Sequence, residues 1–442
     1  MTAVTQPDPR AWRRRVARLA APLVVSNATV PLLGIVDTAV VGHLDSPAYL
    51  GGVAVGTLLF SYVYWSFGFL RQGTGGLAAQ AYGAEDGWEL RAVLARAALV
   101  ALAAGLVLVV VLATLLVPLL GFVGASAEVE AHAVVYAEIR LLSAPATLGN
   151  YALLGALVGL QRPKGALALM VATNGTNIVL DLAFVLGFGW GVAGVAWATV
   201  IAEYVGAVTG LVLVRRSLHI LPGRWDRARI LGWRALLRMA GLNRDIFARN
   251  LALTSAFALF TVIGARLGDA TLAANAVLMN FHALAGYVLD GFADAAEALV
   301  GQAVGRRSRA SLRAAVKAAL EWIAALALVG FVLFAAFGGV LIDVMTGLPE
   351  VRAEARLYLV YVVLAPVLGC WAFLLDGVFV GATRGPEMRN AMLAALAVFV
   401  GLAFALTPAL GNHGLWLAYV VFMLARALFL ALYVPRLVRS VG

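Results

Sequence analysis

Long apolar runs alternate with short polar points along almost the whole chain. A helix needs about 20 apolar residues to cross the hydrocarbon. On that measure the runs predict spans over 16–42, 49–70, 90–120, 131–160, 165–187, 191–216, 246–267, 272–303, 314–345, 352–382, 387–410 and 413–438. Several runs are longer than crossing requires, so they are expected to tilt or to extend past the hydrocarbon. Pro22, Pro31, Pro118, Pro145, Pro366 and Pro408 fall inside spans and are candidates for kinks. Residues 1–11 read as disordered, and Trp12–Arg18 as a basic, interfacial segment.

Composition turns this pattern into a class. Of 442 residues, 63% are hydrophobic and 13% charged, where a soluble protein carries roughly a quarter charged. The chain reads as an all-α polytopic membrane protein. One cysteine, Cys370, excludes a disulfide framework and a cysteine zinc site. The five histidines are scattered, and there is no Walker A or dinucleotide fingerprint. ATP use and a membrane-embedded enzyme are therefore disfavoured, and no cleavable signal is expected.

The net charge of +10 matters mainly through its placement. Basic residues gather at 10–18, 91/96, 162/164, 215–244, 306–317, 384/389 and 436/439, while the intervening polar points are poor in them. The positive-inside rule makes the first set cytoplasmic, with both termini on that side of the inner membrane. Nucleic-acid binding is not expected, because the arginines sit in short loops between spans.

The basic stretch 215–244 separates six spans from six, and the two sides are related. Leu50–Val55 through Gln80–Gly83 matches Leu272–Val277 through Gln302–Gly305, at a constant offset (272 − 50 and 305 − 83 are both 222). Gly155–Arg162 matches Gly377–Arg384 at the same offset. We expect two pseudo-symmetric six-helix lobes, 1–216 and 246–442, joined by a basic cytoplasmic linker, 217–245. A parallel repeat of this kind suits a central site and alternating access.

Buried polar groups mark where such a site acts. Asp37 has more than a turn of apolar helix on either side, and an intramembrane carboxylate usually serves an ion or a proton. Asn174, Asn177 and Asp181 are spaced by three and four, so they share one helical face. With Asp37, and a hydroxyl from Thr199, they form a candidate oxygen cage for a proton, or for Na⁺ if enough oxygens converge. Two carboxylates sharing a low-dielectric site cannot both ionise cheaply, so the pair is suited to carrying a proton. Tyr136 and Asn150 are candidates to face this cluster. In the second half, Asp290, Asp294 and Glu297 share one face of span eight, and Asp376 lies in span ten. These are candidates for a substrate or secondary proton site, lining an aqueous cavity or meeting Arg71, Arg249 or Arg426. Internal salt bridges are the competing reading. Glu203 and Glu321 look isolated and structural.

The stretches Val30–Leu44, Leu70–Gly83, Asn174–Asp181, Ala198–Tyr204, Leu289–Gln302 and Leu375–Arg384 together resemble the multidrug and toxic compound extrusion (MATE) family, in its DinF-like (DNA-damage-inducible F) branch. The resemblance implies two six-helix lobes and cation-coupled export. It assigns Asp37, Asn177, Asp181 and Thr199 to an N-lobe coupling site and makes Pro31 the hinge of the first helix. One feature departs from the NorM-like branch: Leu251–Ile263 carries no acidic residue to join Asp376. That argues against a C-lobe sodium site of that type.

The expectation is a secondary antiporter that exports amphipathic organic molecules. It needs no cofactor beyond its coupling ion, H⁺ with Na⁺ as the alternative, and acts as a monomer in the bilayer. A lipid-linked precursor flippase is the rival within transport, and an ion channel is the rival from another class.

Overall fold

The computed structural model describes residues 8–41, 47–121 and 124–441. The side chains of Leu32, Ile35, Asp37, Thr38, Val41 and Pro47 also lie outside the described residues. The elements in order are α1 (Pro9–Val41), α2 (Pro47–Ser66), α3 (Phe69–Gly83), α4 (Gly87–Gly121), α5 (Ala127–Leu141), α6 (Ala144–Gly159) and α7 (Pro163–Asp181). A π-helical turn, Leu182–Gly187, leads to α8 (Gly191–Ser217) and a 3-10 turn at Leu218–Ile220. Then come α9 (Arg227–Ile230), α10 (Trp233–Ala265), α11 (Asp269–Gly305), α12 (Arg309–Met345), α13 (Pro349–Gly381), α14 (Gly385–Leu410), α15 (Asn412–Ala431) and α16 (Val434–Ser440).

Among the described residues, ten helical stretches are long and apolar enough to cross a membrane, and the bent pair α5/α6 makes eleven. The 33-residue α1 corresponds to the first expected span. Three boundaries differ from expectation for local reasons. Helix α1 already starts at Pro9, because the Asp8 carboxylate accepts from the Arg10 amide at 2.9 Å and proline suits a first helical turn. The expected span 131–160 is two helices bent by 56°. Pro145 opens the second of them, and Gly105 of α4 presses against it, a Cβ there lying 2.5 Å from the Pro145 Cα. Pro118, Pro366 and Pro408, by contrast, sit inside continuous helices. The second half of the expected linker is helical from Trp233, as the start of α10.

Packing divides the chain into two units, Val25–Met239 and Ala240–Gly442 with the chain up to Val24. In the first unit α3 and α4 pack on α6, α2 on α5, and α7 on α8. Phe60, Tyr64, Leu148 and Val195 are central to its core. In the second, α11 packs on α13 and α14 on α15. The early part of α1 joins that unit: Val16 and Ala20 are fully buried in the same cluster as Ala296, Ala319 and Phe379. Arg13 pairs with Glu321 at 2.5 Å, and the Trp322 indole donates to the Arg13 carbonyl at 3.1 Å. Glu321 is therefore not isolated.

The duplication reappears as a repeated close contact. A Cβ at Gly155 would lie 2.1 Å from the Arg71 carbonyl oxygen, and one at Gly159 would lie 2.4 Å from that of Gly75. In the second unit a Cβ at Gly377 would lie 2.2 Å from the Ala293 carbonyl oxygen, and one at Gly381 would lie 2.3 Å from that of Glu297. All four pairs correspond at the offset found in the sequence. Each unit crosses two helices backbone to backbone at the same place, which only glycine permits.

Candidate functional site

Helix α7 brings its polar face inward as the spacing requires. Asn174, Asn177 and Asp181 are all buried, and Asp181 is fully so. Asp181 ends the α-helix just where the chain winds into the π turn. Such turns often accompany functional side chains. Thr199, buried on the neighbouring α8, donates its hydroxyl hydrogen to the Val195 carbonyl at 2.9 Å.

Asn177 stands between the two. One side of its amide is 3.1 Å from Thr199 Oγ1 and the other is 2.9 Å from Asp181 Oδ2. The two ways of turning the amide have different chemical meanings. With the nitrogen toward Thr199 it donates there, and the amide oxygen then needs a hydrogen from a protonated Asp181. With the nitrogen toward Asp181 it donates to an ionised carboxylate, and the amide oxygen accepts from the Thr199 amide at 3.2 Å, or from the Thr199 hydroxyl at 3.1 Å if that hydrogen turns away from Val195. The trio gives Asp181 Oδ2 a partner in both charge states without moving a helix.

Three of the four residues expected to form the coupling site are thus brought together. The fourth, Asp37, has a side chain outside the described residues. Its helix does reach the cluster: Asn174 donates to the Thr29 hydroxyl of α1 at 2.8 Å. Pro31, the expected hinge, lies in continuous helix two residues further on.

Tyr136 and Asn150 make their described hydrogen bonds elsewhere. They belong to a second network one turn along α8, built on Glu203. Asn150 donates to both the backbone carbonyl and the Oε2 of Glu203, each at 2.8 Å. Arg140 lies 3.8 Å from the same carboxylate and faces the rings of Phe60 at 5.7 Å and Tyr64 at 5.4 Å. Tyr136 accepts from Thr57 at 3.2 Å. Glu203 is therefore part of a buried network rather than an isolated side chain. The available signal was its spacing of four from Thr199 on α8.

In the second unit Asp376 meets cations. Its Oδ2 accepts from Arg426 at 2.8 Å and also from Arg249. Arg249 and Arg426 are both buried, and Arg249 also donates to Asn250 at 2.8 Å. Of the expected pairings, the internal salt bridge is the one observed for Asp376. Asp294 and Glu297 are buried on α11, while Asp290 is half-buried and lies within electrostatic reach of Arg249. Among the described residues, no group of three or more His, Cys, Asp or Glu side chains is placed to hold a metal ion.

Two duplicated helical units, each with its own buried polar cluster, define a polytopic membrane protein built like a secondary transporter. The chain belongs to the MatE family, whose sequence model matches residues 22–183 and 246–408, once in each half. It is 46% identical to DNA damage-inducible protein F of Escherichia coli over 433 residues, 98% of this chain and 93% of that protein. It is 29% identical to a probable multidrug resistance protein NorM of Caulobacter vibrioides, over 84% of this chain and 78% of that one. Among solved structures, the MATE crystal structure in its bent conformation superposes with a TM-score of 0.86 at 21% identity, covering 98% of this chain and 97% of the other. The relatives bear the names of transporters and resistance proteins rather than of enzymes.

Proposed function

We propose that this chain is a proton-driven exporter of amphipathic organic molecules, working by alternating access, with Asp37 and Asp181 as its coupling carboxylates. One observation carries the reading. Asp181 is fully buried, and its Asn177–Thr199 partners can serve it with or without a proton. A carboxylate held in this way can exchange a proton at Oδ2 while keeping Asn177 as its partner, which lowers the cost of either state. Outside protons would load the site and favour substrate release, and deprotonation toward the cytoplasm would reset it. One charge moving through 100 mV supplies ~2.3 kcal/mol, enough for a gradient of roughly 50-fold. The multidrug resistance name of the NorM relative supports organic molecules as substrates. The distribution of arginines supports an inner-membrane setting with cytoplasmic termini.

The test is Asp37→Asn in proteoliposomes. The variant is expected to fold and to lose pH-driven exchange. Wild-type exchange of substrate for protons by that variant would overturn the assignment of Asp37. Exchange driven by a Na⁺ gradient at clamped pH would replace the proton with sodium as the coupling ion.

A further inference from the structure

The ends of α14 and α15 enclose a cavity of about 320 Å³ that no part of the transport reading uses. These two helices pack closely and run antiparallel, so the lining residues sort by depth. Asn390, Tyr433 and Arg436 lie at the helix-end level. Ala394 and Phe429 lie about one turn further into their helices, and Leu432, at the end of α15, borders the opening. The trough is therefore polar at the helix ends and apolar over the next turn. It opens toward the hydrocarbon-facing surface, where Leu432 is 66% exposed and Leu428 60%.

The charge around the polar end is one-sided. Arg436 is exposed and has no carboxylate partner among the described residues. Arg309 spends its donors on the carbonyls of Arg439 and Val441, which neutralise nothing. Arg384 bonds the Ser440 hydroxyl at 2.6 Å and has a single weak acid neighbour, Glu387 at 3.7 Å. Arg389 alone is well compensated, by Asp245 at 2.6 Å. An apolar trough capped by the uncompensated Arg436 matches a molecule with a hydrocarbon chain and an anionic head.

We propose that this trough is a binding site for an anionic phospholipid. One acyl chain lies against Ala394, Phe429 and Leu432, and the phosphate sits on Arg436 with Tyr433 and Asn390 beside it. The site is built from residues of the second unit alone and does not depend on the coupling assignment.

The experiment uses the full-length protein in detergent, titrated with phosphatidylglycerol or phosphatidylcholine, with retained lipid counted by native mass spectrometry. The wild type is expected to retain phosphatidylglycerol in preference to phosphatidylcholine. Arg436→Gln should weaken phosphatidylglycerol retention about five- to tenfold, and Arg216→Gln, which removes an exposed arginine outside the trough, should not. Ala394→Trp should fill the trough at an exposed position and give the same loss as Arg436→Gln. Equal retention of both lipids by the wild type would overturn the proposal, as would undiminished phosphatidylglycerol retention by Arg436→Gln or by Ala394→Trp.

Discussion

Gly377 lies so close to Ala293 that a Cβ on the glycine would stand 2.2 Å from the alanine's carbonyl oxygen. The listening atom is backbone, which cannot swing aside, so α11 and α13 would have to separate. Gly377→Ala is expected to destabilise by at least ~1–3 kcal/mol, the usual cost of overpacking. Gly155→Ala should do the same through the Arg71 carbonyl, at 2.1 Å. Gly175, with nothing within 4 Å of its Cβ position, is the control and should tolerate alanine. Thermal unfolding of the three variants in detergent checks this.

The same contacts explain what could be read in advance. Apolar runs exposed the spans because each must cover itself with lipid-compatible side chains. The three-and-four spacing exposed Asn174, Asn177 and Asp181 because a helix turns spacing into a face. The duplication was legible at Gly155 and Gly377, where the crossing admits no other residue. Long-range pairing was not legible. Glu203 looked isolated because Arg140 and Asn150 come to it from other helices. The start of α10 was hidden by its charge, since arginines that ride on a helix read like arginines in a loop. The break at Ser143 was signalled by Pro145 only as a candidate kink, because a proline inside an apolar run does not say whether the helix bends or ends.

Asp376 holds two buried guanidiniums with one oxygen, Arg426 at 2.8 Å and Arg249 beside it. Removing the acid strands both cations, so Asp376→Ala should cost about 3–5 kcal/mol, as breaking buried pairs does. Replacing all three together with apolar residues of similar volume, as in Asp376→Leu/Arg249→Met/Arg426→Met, should recover much of that loss. Unfolding midpoints of the single and triple variants measure the difference. A triple variant no more stable than the single one would mean the arginines serve more than this acid.

Asp86 caps α4 outside the spans. Its carboxylate accepts from the Trp88 amide at 3.0 Å and the Glu89 amide at 2.9 Å, and pairs with Arg229 at 3.2 Å. Partial burial acts to raise its pKa, but the amide bonds and Arg229 outweigh that and hold it below the ordinary value of 3.8. A lowered pKa gives stability that is present above the unfolded value and lost as pH falls through the folded one. Asp86→Ala should therefore cost about 0.5–2 kcal/mol near neutral pH. Its gap from the wild type should narrow as the pH drops below about 4. Unfolding midpoints across that range test the sign, and a gap that widens in acid would contradict it.

Asp181→Asn offers the most direct test of the coupling trio. The new amide is close in shape to a protonated carboxylic acid, and its nitrogen can donate to the Asn177 oxygen. Asn177 then keeps its 3.1 Å bond to Thr199, the arrangement that a proton-loaded Asp181 would select. The variant should fold normally, because the bonds through Asn177 to Thr199 are kept. It should also be unable to release a proton, so efflux from proteoliposomes should no longer respond to a pH gradient. Thr199→Val removes only the neighbouring hydroxyl, a loss of about 0.5–1.5 kcal/mol. That change should slow pH-driven efflux by roughly two- to thirteenfold without abolishing its pH response. If Asp181→Asn kept full pH-driven efflux while Thr199→Val lost it, the proton would have to be carried elsewhere. Glu203, one turn along α8 from Thr199, would then be the carboxylate to examine.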